Sequence, residues 1–94
     1  MMNKLPLSLW KADIMERALK KWGVDSQINM LIEECAELIV ALQHFRRGRV
    51  DSNKIAEEVA DVKIMIGQIE LVDDIGSTVD EIEIEKLKRL KERL

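Results

Sequence analysis

Ninety-four residues with a formal net charge of −3, 35% charged and 47% hydrophobic, make one domain near the lower end of the sizes that sustain a core. No apolar run approaches the roughly 18 residues of a membrane span, and the first residues lack a signal peptide's apolar core and cleavage site. The single Cys35 excludes an intramolecular disulfide and fits a reducing compartment, so the expected location is cytoplasmic.

One proline, four glycines and an aromatic content of 3% point to an all-helical chain built on aliphatic residues and Met. The pattern predicts four helices. The first runs from about Ser8 to Lys21, with Trp10, Ile14, Ala18 and Trp22 recurring every fourth residue as its apolar stripe. Gly23 ends it, and Asp25 or Ser26 can cap the second. The second runs from about Gln27 to Arg46 on a stripe of Ile28, Leu31, Cys35, Leu38, Leu42 and Phe45, with Gly48 as its C-cap. Asp51 or Ser52 opens the third, whose stripe is Ile55, Val59, Val62, Ile66 and Ile69. Gly67 inside it marks close helix packing. Residues 73–77 read as a loop, and Thr78 with Glu81 reads as a capping box for a fourth helix that runs nearly to Leu94. The short link between the second and third helices requires them to be antiparallel. No linker or low-complexity segment divides residues 1–94.

The second and third helices share an echo: LIEECAEL at 31–38 returns as IAEEVADV at 55–62. It sets Glu33, Glu34 and Glu37 against Glu57, Glu58 and Asp61. At about 100° per residue, Glu34 and Glu37 lie near 300° and 240° from Leu31, and Glu58 and Asp61 lie at the same angles from Ile55. Both pairs therefore flank an apolar stripe, while Glu33 and Glu57, near 200°, point further toward water. Four carboxylates at the rim of a core repel one another unless protons or cations neutralise them. Hard divalent ions such as Mg²⁺ or Mn²⁺ prefer oxygen ligands of this kind. The chemistry that suits such a site is attack of a metal-activated water on phosphorus. Without these four acids the remaining charge is +1 (−3 with four negative charges removed), so the acidity is concentrated here. The basic footprint of a nucleic-acid binder is missing, and nucleic acid is not an expected partner.

The pattern EExxE (Glu33, Glu34, Glu37) followed by ExxD (Glu58, Asp61), with the flank KWGVDSQINMLIEECAELIVALQHFRRGR and the tail EKLKRLKERL, resembles the MazG-like all-α nucleotide pyrophosphohydrolases, in particular their short phage-type members. The similarity covers about residues 20–94. It implies a four-helix MazG-like bundle completed by homodimer or homotetramer formation. The implied reaction is Mg²⁺-dependent hydrolysis of a nucleoside triphosphate, including deoxy or non-standard ones, to the monophosphate and pyrophosphate. By the same resemblance, Glu34, Glu37, Glu58 and Asp61 are metal ligands, and Glu33 orients or deprotonates the attacking water. Lys86 and Arg89 grip substrate phosphates, and Trp22 and Gln27 belong to the substrate site. Two relatives use similar acids on other substrates, phosphoribosyl-ATP pyrophosphohydrolase and the dimeric dUTP pyrophosphatases.

Each feature also has a plainer explanation. Acids on charged helices can be a solvated face. Lys86, Arg89 and Arg93, like Arg46, Arg47 and Arg49, sit where a helix dipole favours cations. His44 lies on the acid side near a helix end and reads as a solvated residue, and Cys35 reads as a small core residue. Apolar residues off the main stripes, including Val40, Ile64 and Leu71, imply a second buried face and hence self-association. A reading from another class is a non-catalytic helical assembly module with a structural metal site.

Overall fold

A computed structural model of the chain describes residues 6–94. Among these residues four α-helices follow one another, α1 Leu7–Trp22, α2 Val24–Arg46, α3 Ser52–Ile69 and α4 Gly76–Glu92, with a 3₁₀ turn at Val72–Asp74. Among the described residues there is no strand, and no helix is long and apolar enough to cross a membrane. The all-helical expectation holds, and the arrangement fits a helical bundle.

The junctions show why the chain bends where it does. Gly23 alone joins α1 to α2, at φ +88°, a region costly for any residue with a Cβ. Its N–H donates to Leu19 O, and its carbonyl accepts from Gln27 N–H, so one residue ends one helix and starts the next. The expected caps Asp25 and Ser26 therefore lie inside the first turn of α2. After Arg46 the chain passes through Gly48, at φ +72°, while Arg49 N–H returns to His44 O at 2.9 Å, the glycine-terminated helix end that the sequence implies. Asp51 caps α3 as expected, its Oδ1 accepting from the N–H groups of Asn53 and Lys54 at 3.0 and 3.3 Å. The capping box at Thr78 does not form. Asp73 and Asp74 both take φ of +51°, and Gly76 N–H bonds back to Glu70 O at 3.1 Å. That tight reversal restarts the helix at Gly76, two residues before Thr78, with no side-chain cap.

α2 and α3 form the main packed pair, and α1 lies chiefly against α3. The line of contact is not the one drawn from the apolar residues alone. Gln27, Leu31, Glu34, Leu38 and Ala41 turn inward on α2, and Ile55, Glu58, Val62, Met65 and Gln68 turn inward on α3. The spacing of three and four is that of a coiled-coil seam, rotated by about 50–60° from the apolar stripes toward the acids. This corrects several core assignments. Cys35, Ile28, Leu42, Phe45, Val59 and Ile66 are exposed in the single chain, as are Trp10, Ile14 and Trp22 on α1. The rotation has a physical basis: close approach of α2 and α3 favours the face with the small Ala41 and the unbranched Met65, Gln27 and Gln68. Gly67 does mark close packing, since a Cβ there would overlap the Sδ of Met15 from α1. Among the described residues only Ala41, Val62 and Met65 are buried apolar side chains, and α4 buries none.

Candidate metal centre

The rotated seam places two carboxylates inside the α2–α3 contact. Glu58 is 6% exposed, and Glu34, opposite it on α2, is half-buried. Glu37 stands one turn beyond Glu34 toward solvent. One carboxylate oxygen from each of Glu34, Glu37 and Glu58 lies within 4.8 Å of the other two. Three hard oxygen donors converge from two helices, a partial donor set that a divalent cation could complete with water or substrate oxygens.

The polar balance of the cluster is incomplete. Lys54, one turn before Glu58 on α3, places its Nζ 3.0 Å from Glu58 Oε1. The other oxygen, Glu58 Oε2, is buried and receives no hydrogen bond from the protein, and neither does the buried Glu34 Oε2. Unpartnered buried carboxylate oxygens are rare, because desolvation without a donor is costly. The strain is visible in Glu34, whose pKa is raised by loss of water and then by the charges of Glu37, Asp61 and Glu58. Lys54 is held in its charged form by its hydrogen bond and attraction to Glu58. A cation bound between Glu34 and Glu58 would supply the partner that both oxygens lack, so the residues present fit a divalent ion.

Asp61 is exposed and outside the three-oxygen group, although its charge reaches Glu34. Glu33 and Glu57 are exposed, on the water side as their angles imply. Gln27 is buried at 5% exposure in the first turn of α2, whereas Trp22 is 58% exposed beneath the Lys21 ammonium, 5.4 Å from the ring centre. Lys86 and Arg89 lie on α4, which buries no side chain and is not among the main packed helix pairs. One chain therefore brings the acids together but not the basic pair. Lys54 was missed at the level of sequence, although a lysine four residues before a glutamate on one helix is a readable ion-pair signal.

No protein family, characterised protein or solved structure matches this chain in comparisons of sequence and fold.

Proposed function

We propose that the protein is a divalent-cation-dependent nucleoside triphosphate pyrophosphohydrolase of the MazG-like type, working from the α2–α3 acid cluster. The observation that carries this reading is the pair of buried, donorless oxygens, Glu34 Oε2 and Glu58 Oε2, on two carboxylates that come within 4.8 Å of each other across a helix seam. A surface of solvated acids has no reason to bury them. Glu34, Glu37 and Glu58 would hold the ion, with Asp61 at its edge. A divalent cation there supplies charge neutralisation to a polyphosphate and acidifies a bound water.

In the reaction, a water oxygen bonds to the α-phosphorus, and the bond from that phosphorus to the bridging oxygen breaks. Pyrophosphate leaves, and the water proton passes to a base. Glu33 stands next to Glu34 on the solvent side of α2, the position from which a carboxylate can accept it. The sequence resemblance supports the polyphosphate substrate. Lys86 and Arg89 serve as phosphate ligands only where α4 reaches a cluster, which favours a homodimer or homotetramer.

The experiment is pyrophosphate release from a panel of canonical, deoxy and modified nucleoside triphosphates, with and without Mg²⁺ or Mn²⁺. Turnover should require the cation and fall by about 10²-fold or more in Glu34→Gln/Glu58→Gln, with helical content unchanged. No turnover of any nucleotide with either ion rejects the hydrolase and leaves the structural-ion assembly module as the reading.

A further inference from the structure

A 17-residue helix with no buried side chain is marginal in water on its own, yet α4 carries an apolar face along its length. Val79, Ile82, Leu87 and Leu90 lie on one side, all more than a third exposed. Charge is divided along the same helix. Asp80, Glu81, Glu83 and Glu85 occupy its first half, and Lys86, Lys88, Arg89 and Lys91 its second. The helix dipole accounts for the direction of that division. It does not account for the apolar face, or for Glu83 standing within its first half and Lys86 within its second.

The body of the chain has a matching cleft. Between α1 and α3 lies a cavity of roughly 440 Å³, floored by Trp10, Ile14, Met15 and Ile64 and flanked by Lys11 and Lys63. Among the described residues neither lysine has an acidic partner within ion-pair distance, and neither Asp80 nor Glu83 has a basic one. The cleft is apolar with a positive rim; the first half of α4 is apolar with a negative one.

We propose that the α4 helix of one copy docks into the α1–α3 cleft of a second copy, with Asp80 and Glu83 toward Lys11 and Lys63. A second copy is the occupant because it brings the complementary charges and because α4, after the reversal at Asp73–Asp74, buries no side chain against its own chain. Docking also fixes which copy's acids Lys86 and Arg89 approach; that consequence rests on the hydrolase reading and does not enter the test below.

The test is a charge exchange on the full chain, read by sedimentation equilibrium with helicity monitored by circular dichroism. Lys11→Glu/Lys63→Glu and, separately, Asp80→Lys/Glu83→Lys should each weaken self-association by roughly tenfold or more. The fourfold exchange should restore it. In a Trp22→Phe background, Trp10 emission should shift to shorter wavelength as the wild-type cleft fills with rising concentration, and this shift should be lost in either charge variant. The proposal is overturned if both charge variants associate like the wild type, if the exchange fails to restore association while helicity is intact, or if Trp10 is protected in a protein that sediments as a single chain. The last result would place α4 in its own cleft.

Discussion

Glu34 is the half-buried member of the acid cluster whose charge the fold disfavours most clearly. Its raised pKa means that the fold favours its protonated form. In the absence of divalent ions its contribution to stability is present below the ordinary carboxylate range, near 4.5, and is lost as pH rises through the elevated value. A cation bound at the cluster would reverse the preference, because it needs the carboxylate form. Thermal unfolding across mildly acidic pH should therefore show stability declining with pH without Mg²⁺ and a Mg²⁺-induced gain that grows over the same window. Glu34→Gln should abolish both trends. Lys54 would compete with a bound ion for Glu58, its Nζ already 3.0 Å from one oxygen. Lys54→Met should leave the cation-free protein less stable yet bind Mn²⁺ several-fold more tightly, as measured by calorimetry. Unchanged affinity would show that Glu58 is not a ligand.

At the scale of elements, two caps that look alike in sequence behave differently. Asp51 accepts two backbone hydrogen bonds, so Asp51→Ala should cost about 1 kcal/mol in denaturant unfolding. Thr78 lies inside α4 and caps nothing, so Thr78→Ala should stay within about 0.5 kcal/mol. Gly67 gives a graded case. Ala there would displace only the flexible end of Met15, and its gain in helix propensity offsets that shift. Gly67→Leu has no such relief and should destabilise by about 1–3 kcal/mol.

These contrasts show what the sequence makes legible. Helix number, the glycine-terminated ends and the Asp51 cap are local, and local chemistry decides them. The repeated acids are legible too, because two sets of carboxylates at one helical angle are a geometric statement. The seam was not, since which face of α2 meets α3 depends on how closely two backbones approach. Ala41 and Met65 settle that in three dimensions, and apolar periodicity does not register it. The same rotation carried Glu34 and Glu58 from the rim into the contact, exposed Cys35, and left Asp61 outside the closest group of oxygens.

At the scale of the molecule, the three buried apolar side chains among the described residues are few for four helices, while both tryptophans and many aliphatic side chains face outward. Stability should accordingly depend on concentration: the unfolding midpoint should rise with protein concentration by mass action. A midpoint constant across a hundredfold range, with light scattering reporting a single chain at micromolar concentration, would show that the isolated fold suffices.

The one-residue joint at Gly23 gives the molecule a mechanical property. α1 rises about 1.5 Å per residue, so Trp10 stands roughly 20 Å from that joint. A torsional change of about 20° there would sweep the indole through some 7 Å, while Met15, nearer the pivot and seated against Gly67, would move little more than half as far. The α1–α3 cleft is thus the wide end of a lever whose fulcrum is a single pair of backbone dihedrals. Any change in those dihedrals would therefore open or close the Trp10 end of the cleft more than the Met15 end.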